Sequence, residues 1–150
     1  MRNIHYYNSP AGVLKIEMKG GSVVGISTAE KADDTAGSLP ATVSAELDEY
    51  FSGARREFSF PITMQGTEFQ KKVWKELLLI PYGSTATYGQ IAARTGNPRA
   101  SRAVGMACNR NPLLIAVPCH RVVGANGKLT GFAAGLDVKL KLLQLEKKSV

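Results

Sequence analysis

The sequence predicts an α+β chain in two parts: a small sheet-and-helix domain over residues 1–64, then a mainly helical domain over residues 65–150 that contains a helix-turn-helix. Three observations predict it. Short β-type runs separated by turn residues fill the first sixty positions. Past Thr67 the apolar residues fall at helical spacing, and two short helical segments flank a Gly-Asn turn. The charge divides at the same place. Residues 1–66 hold six Lys/Arg and eight Asp/Glu, net −2, whereas residues 67–150 hold thirteen and four, net +9.

Residues 4–7, 13–18 and 23–26 read as strands, parted by Ser9-Pro10-Ala11-Gly12 and by Gly20-Gly21. Residues 30–40 are polar and rich in small side chains, which suits a loop. Leu47, Tyr50 and Phe51 give residues 45–51 a helical stripe that stops at Ser52-Gly53. Phe58 and Phe60 alternate before Pro61 and predict one more strand. Thr67 predicts an N-cap, with Phe69, Val73, Trp74, Leu77 and Leu78 as the apolar stripe of the helix behind it. Thr87-Tyr88-Gly89-Gln90-Ile91-Ala92 opens the next helix, Gly96-Asn97 closes it, and a second follows over about residues 99–108. Residues 113–117 read as a buried strand or extended segment delivering Pro118-Cys119-His120-Arg121. Residues 124–131 are turn-like. A last amphipathic helix over residues 136–145 carries Leu136, Leu140, Leu143 and, just beyond, Glu146.

Composition removes whole classes of function. At 44% hydrophobic and 21% charged, the chain is globular rather than disordered or collagen-like. No apolar run approaches the ~18 residues of a membrane span, and the start lacks the apolar core of a secretory signal. Two cysteines, Cys108 and Cys119, build neither a disulfide framework nor a four-cysteine zinc module. Reduced thiols point to the cytoplasm. The basic second half suits a polyanion, most often nucleic acid, and equally a merely solubilising face.

Two segments carry candidate chemistry. The second helix of the pair is thin: Ala100, Ser101, Ala103, Gly105 and Ala107 are small, and Arg102 is the one long side chain at its middle. Major-groove readers need several long polar residues, whereas a thin helix suits close backbone approach in a narrow groove with one intruding side chain. Small residues also permit tight helix packing. The second segment is Cys119 with His120 and Arg121 directly after it. Most cysteines simply pack, but a base and a cation beside a thiol lower its pKa and favour the nucleophilic thiolate. On a regular strand His120 points away from Cys119, so the pair needs a backbone turn or a relaying water. A third group must orient the imidazole, and Glu68, Glu76, Asp137 and Glu146 are the acids of the basic half.

Pro118-Cys119-His120-Arg121-Val122-Val123 resembles the active-site signature of the O6-alkylguanine-DNA alkyltransferases. Thr87-Tyr88-Gly89-Gln90-Ile91-Ala92 and residues 96–105 resemble that family's helix-turn-helix. Asn111-Pro112 resembles its hinge, residues 131–136 its substrate loop, and residues 142–146 its closing helix, all in order over residues 67–147. The resemblance implies a ribonuclease H-like N-terminal domain and a winged-helix-like helix-turn-helix. It implies that Cys119 accepts the alkyl group, His120 acts as a base through water, Glu146 holds the imidazole and Asn111 braces the turn. Arg102 would fill the gap left by an extruded guanine, and Tyr88 would help rotate the nucleotide and assist the leaving purine. Ala100, Ala103, Gly105, Arg99, Arg110 and Arg121 would meet DNA or the pocket. Carbonyls of Cys119 and Val122 would accept from the guanine amino group, and the Ala133 amide would donate to O6. Gly131, Phe132 and Ala134 complete the substrate loop. No cofactor or metal is implied. The partner is duplex DNA bearing alkylated guanine, chiefly O6-methylguanine with O4-alkylthymine as a second lesion, met through the minor groove by a monomer that reacts once.

Departures are local. Cys108 stands where many bacterial relatives carry a polar residue, and inert packing is the expectation. Phe132 and Ala133 lack hydroxyls present in some members, and the Cβ of Ala134 is expected to narrow the pocket. Three other readings compete. A non-catalytic lesion binder of the same fold would not need Cys119. A helix-turn-helix regulator would not need Pro-Cys-His-Arg, and a Cys-His hydrolase would not need a DNA-sized basic surface.

Overall fold

Period-two patterning builds the first sheet in the computed structural model of the chain, which describes residues 2–33, 36–132 and 134–149. Strands β1 (Asn3–Ser9), β2 (Gly12–Lys19) and β3 (Ser22–Ala29) form an antiparallel meander in that order and contain all three predicted runs. Leu14, Ile16 and Met18 alternate along β2 and face the core. Gly20 and Gly21, at φ 58° and 80°, turn β2 into β3. Two successive left-handed residues make the hairpin turn whose twist matches the strands.

Helix α1 (Ala41–Phe51) begins four residues earlier than the apolar stripe suggests, and it buries Val43, Glu46, Leu47 and Tyr50 on one face. The strand expected at Phe58 and Phe60 is not formed. The segment is held instead by a carboxylate: the Ser59 and Phe60 amides donate to Glu46 Oε1 at 2.7 and 3.4 Å. Its two rings lie 5.1 Å apart, and Phe58 packs 5.3 Å from Tyr50. The alternation reflects that packing and no ladder. Pairing begins only at Ile62, which bridges Val23.

Helix α2 (Glu68–Leu77) has the predicted N-cap, completed as a capping box by Thr67 and Gln70. Val73, Trp74 and Leu77 are buried, while Phe69 and Leu78 at the ends of the stripe stay exposed. Strand β4 (Ala86–Thr87) leads directly into α3 (Tyr88–Arg94), which Thr87 and Gln90 open with a second capping box. After the turn comes α4 (Ser101–Asn109), packed on both α2 and α3. The Trp74 indole donates to the Ala107 carbonyl at 2.9 Å and locks α2 to α4.

Residues 113–117 are all buried but only their start is extended: Leu113 bridges Ile26 of β3, and the chain then turns. The Ile26 amide donates to the Pro112 carbonyl at 2.8 Å and the Leu114 amide to the Ile26 carbonyl at 3.1 Å. One edge of β3 thus anchors the segment before Cys119. Strand β5 (Val122–Val123) pairs in parallel with β4, placing the residues after Cys119 beside the start of α3. Helix α5 (Leu136–Lys148) is rotated from the expected face. Val138, Lys139, Leu142 and Glu146 are buried, whereas Leu136 and Leu140 are exposed. Backbone carbonyls draw Lys139 inward and turn the helix with it. A single cluster of buried apolar residues runs from Ala11 to Leu142 through both halves. Among the described residues no helix is long and apolar enough to cross a membrane.

Candidate active site

Cys119–Arg121 form a single 3-10 turn, closed by the Arg121 amide on the Pro118 carbonyl at 3.0 Å. This is the backbone turn that a cooperating Cys-His pair requires, because it removes the opposite-face geometry of a strand. Upstream, buried Ile115 is held at φ 72°. A left-handed β-branched residue costs about 1–2 kcal/mol, so the fold spends stability to aim this segment. Asn111 fixes its other side. The Asn111 amide nitrogen donates to the Val117 carbonyl at 2.8 Å and to Cys119 Sγ at 3.1 Å, while its oxygen accepts the Leu113 amide at 2.9 Å.

Buried Glu146 gathers the rest. Its Oε2 lies 2.6 Å from His120 Nε2 and accepts the Tyr50 hydroxyl at 2.6 Å and Arg121 Nη2 at 3.0 Å. Its Oε1 accepts Arg121 Nε at 2.8 Å and the Gly83 amide at 3.4 Å. Burial alone would raise the carboxyl's pKa, but His120 and Arg121 hold it well below the usual carboxylate range. An ionised Glu146 at that distance fixes the proton of neutral His120 on Nε2. His120 Nδ1, buried and without a hydrogen-bond partner among the described residues, is then the basic nitrogen. Burial pulls the imidazole pKa down, and Glu146 opposes that pull.

The thiol itself is not pre-ionised, which corrects the expectation of a lowered pKa. Burial pushes Cys119 up to about 11 against the opposing Asn111 hydrogen bond and nearby Lys139. Arg121 does not offset this, because its guanidinium is committed to Glu146 and to the Ile80 carbonyl at 2.8 Å. That also corrects its grouping with residues facing DNA or the pocket: Arg121 is buried behind the turn. The cation nearer the sulfur is Lys139, whose ammonium donates to the Val122 carbonyl at 2.6 Å and the Thr130 carbonyl at 3.0 Å. It also lies 5.8 Å from the ring centres of Tyr88 and Phe132. Cys108 is buried close by, its thiol pushed up to about 12 chiefly by burial, as suits a packing residue.

Arg99, Arg102, Ala103 and Arg110 are exposed along or beside α4, with Ala100 half-buried at its start. Gly105 faces the Tyr88 ring, where an added Cβ would touch carbons at 3.8–3.9 Å. The thin helix therefore also serves packing, against the Tyr88 ring. The Tyr88 hydroxyl donates to the Thr130 carbonyl at 3.4 Å. Phe132 and Ala134 are half-buried against the core, Gly131 is exposed, and Ala133 lies outside the described residues. Among the described residues no group of three or more His, Cys, Asp or Glu is placed to hold a metal ion.

Two family models match this chain: the 6-O-methylguanine DNA methyltransferase DNA-binding domain over residues 68–148 and the ribonuclease-like domain of the same proteins over residues 4–64. The chain belongs to that methyltransferase family. A methylated-DNA–protein-cysteine methyltransferase of Methanosarcina acetivorans is 61% identical over 103 residues, 69% of this chain and 66% of its own length. The Mycobacterium leprae protein of the same name is 45% identical across 95% of this chain and 91% of its own length. The crystal structure of Mycobacterium tuberculosis OGT in complex with DNA superposes with a TM-score of 0.90 at 42% identity, covering 98% of this chain and 94% of that one. Schizosaccharomyces pombe Atl1, solved with damaged DNA containing O6-carboxymethylguanine, matches 55% of this chain at a TM-score of 0.50.

In this family member Asn111 meets the Cys119 sulfur and His120 meets Glu146, with no hydrogen bond between the Cys119 and His120 side chains among the described residues, and Arg102 lies on the open face. Sequence reasoning missed Tyr50, Lys139 and the backbone groups of Ile80 and Gly83. Lys139 left a readable signal, a lysine between apolar Val138 and Leu142. Tyr50 left none, because it sits in a stripe indistinguishable from ordinary core.

Proposed function

We propose that this protein repairs O6-alkylguanine in duplex DNA by transferring the alkyl group once, irreversibly, to Cys119. The observation that carries this reading is the chain of contacts from Asn111 to the sulfur and from His120 to Glu146, set in a turn beside a basic helix-turn-helix. Exposed Arg99 and Arg110, which flank α4, meet the phosphates, and small Ala100, Ala103 and Gly105 let the helix enter the minor groove while Arg102 fills the vacated stack. A stacked base cannot present its alkyl carbon to a buried sulfur, so the nucleotide flips out at a cost of a few kcal/mol. His120 takes the thiol proton through water at Nδ1, and Glu146 stabilises the imidazolium. Sulfur then attacks the alkyl carbon in line. The carbon–sulfur bond forms as the carbon–O6 bond breaks, and the proton ends on the departing guanine with help from Tyr88.

Because burial raises the thiol pKa, the nucleophile has to be generated by proton transfer to His120 rather than standing ready as a thiolate. The Val122 carbonyl keeps a second lone pair beside Lys139 for the guanine amino group, and the Ala133 amide serves O6. A thioether offers water no activated bond, so there is no turnover and no cofactor. Residues 1–64 form the supporting domain and residues 65–150 the reacting one, in a cytoplasmic monomer. The reading of a lesion binder without chemistry, suggested by the Atl1 likeness, is separated by one experiment. Incubation with an O6-methylguanine duplex should add one methyl to the intact mass, and Cys119→Ala should add none. Tight lesion binding with unchanged mass would overturn transfer.

A further inference from the structure

Tyr50 comes from the half of the chain in which the sequence shows no chemistry, yet its hydroxyl ends in the site. The ring packs edge-on to Phe51 and Tyr82, with centres 5.1 and 6.1 Å away, and tilted on Phe58. A buried tyrosine needs some polar partner. Packing does not require that the partner be the oxygen on which His120 depends. Arg121 already grips both oxygens of Glu146 and the Gly83 amide adds to Oε1, so the carboxylate's orientation is fixed without Tyr50. What the hydroxyl adds, at 2.6 Å from Oε2, is withdrawal of charge from the oxygen that faces His120 Nε2.

We propose that Tyr50 is a positioning residue for alkyl transfer: its hydroxyl competes with His120 for Glu146 Oε2 and so limits how firmly the imidazole holds a proton. Its bearing on alkyl transfer rests on Cys119 and His120 being the transferring pair. The charged and titratable groups facing this unit are Arg121 from the 3-10 turn, Lys139 from α5, and Cys119 itself. Tyr82 stands before β4, with Arg56 5.5 Å from its ring centre. Of the two groups that share Oε2 with His120, Arg121 is a cation, so Tyr50 is the one whose removal changes no formal charge. Burial and the neighbouring carboxylate push the Tyr50 pKa upward, which keeps it a donor at every pH of interest.

The chain has only two histidines, His5 and His120, so imidazole titration by NMR reads His120 directly with His5 as internal reference. In Tyr50→Phe the ring stays and the hydroxyl goes. The His120 midpoint should rise by roughly 0.5–1 in pH, a three- to tenfold tighter proton, since one hydrogen bond to an ionised acceptor is redistributed. The acid limb of the alkyl-transfer rate against pH should move with it. Site-specific 3-fluorotyrosine at position 50, a stronger donor that keeps the fold's hydroxyl, should shift the midpoint downward. Tyr7→Phe removes another tyrosine hydroxyl bond to a carboxylate, from β1 to Asp48 of α1 at 2.6 Å, and should leave His120 unmoved. An unmoved His120 in both Tyr50 variants, with or without a lower unfolding temperature, overturns the proposal, as does an equal shift in Tyr7→Phe. If His120 moves as expected but no methyl reaches the wild-type protein, the electrostatic coupling stands and alkyl transfer falls.

Discussion

Glu146→Gln removes one charge with almost no change of volume. Both carboxylate oxygens accept hydrogen bonds from Arg121, and Oε2 also takes the Tyr50 hydroxyl. The amide of a glutamine must aim its own donors at one of these donor groups. The Arg121 guanidinium would lose its counter-charge while its side chain is only 8% exposed. Removing one partner of a buried ion pair costs about 3–5 kcal/mol. For a chain of this size each kcal/mol lowers the unfolding temperature by about 2–4 °C, so the variant should melt about 6–20 °C below wild type. Alkyl transfer measured by rapid quench should slow by about 10²–10⁴-fold, the usual contribution of a positioned base. Arg121→Met should destabilise comparably, and the double variant should recover about 1–3 kcal/mol of the summed loss because the orphaned charge is gone. A Glu146→Gln variant within about 1 kcal/mol of wild type, or a strictly additive double variant, would refute the buried clamp.

Acidification should destabilise the fold in two stages. The folded pKa values of His120 and Glu146 both lie below their ordinary values of 6.5 and 4.5. Each group therefore contributes stability above its unfolded pKa and loses it as pH falls toward the folded one. Urea midpoints should drop from pH 7 to pH 5 as the unfolded state binds a proton at His120, and again below about pH 4.5 through Glu146; midpoints that stay flat to pH 4 would contradict this. Asn111→Ala leaves the Leu113 amide without its acceptor and the sulfur without its donor. It should lower stability by about 1–3 kcal/mol and raise the Cys119 pKa, read by thiolate absorbance. Arg102→Ala, at an exposed position, should leave unfolding within about 0.5 kcal/mol of wild type. It should slow methyl transfer from duplex DNA far more than alkyl transfer from free benzylated guanine. Equal slowing of both reactions would remove Arg102 from the duplex.

Local signals in the chain were legible. Thr67 with Gln70, and Thr87 with Gln90, specify helix starts that the fold adopts. The three short β-type runs all fall inside strands β1, β2 and β3. Misreadings arose where a distant partner decides the conformation. Phe58 and Phe60 alternate like a strand, but the Glu46 carboxylate takes the amides that a ladder would use. On α5 a leucine count favoured the wrong face, because Val122 and Thr130 carbonyls draw Lys139 inside. The site divides the same way. Cys119 and His120 are adjacent and announce themselves. Choosing Glu146 among four acids took the family resemblance, since nothing local marks it. Tyr50 reaches that carboxylate across 96 residues of chain, a relation fixed by packing rather than spacing.

The most direct test is peptide mapping of the protein after reaction with excess O6-methylguanine duplex. The expected result is one S-methylcysteine per chain, on the peptide containing residue 119, with residue 108 unmodified and no further methyl consumed on longer incubation. A methyl found on Cys108, or more than one equivalent of lesion repaired per chain, would contradict a single buried acceptor sulfur.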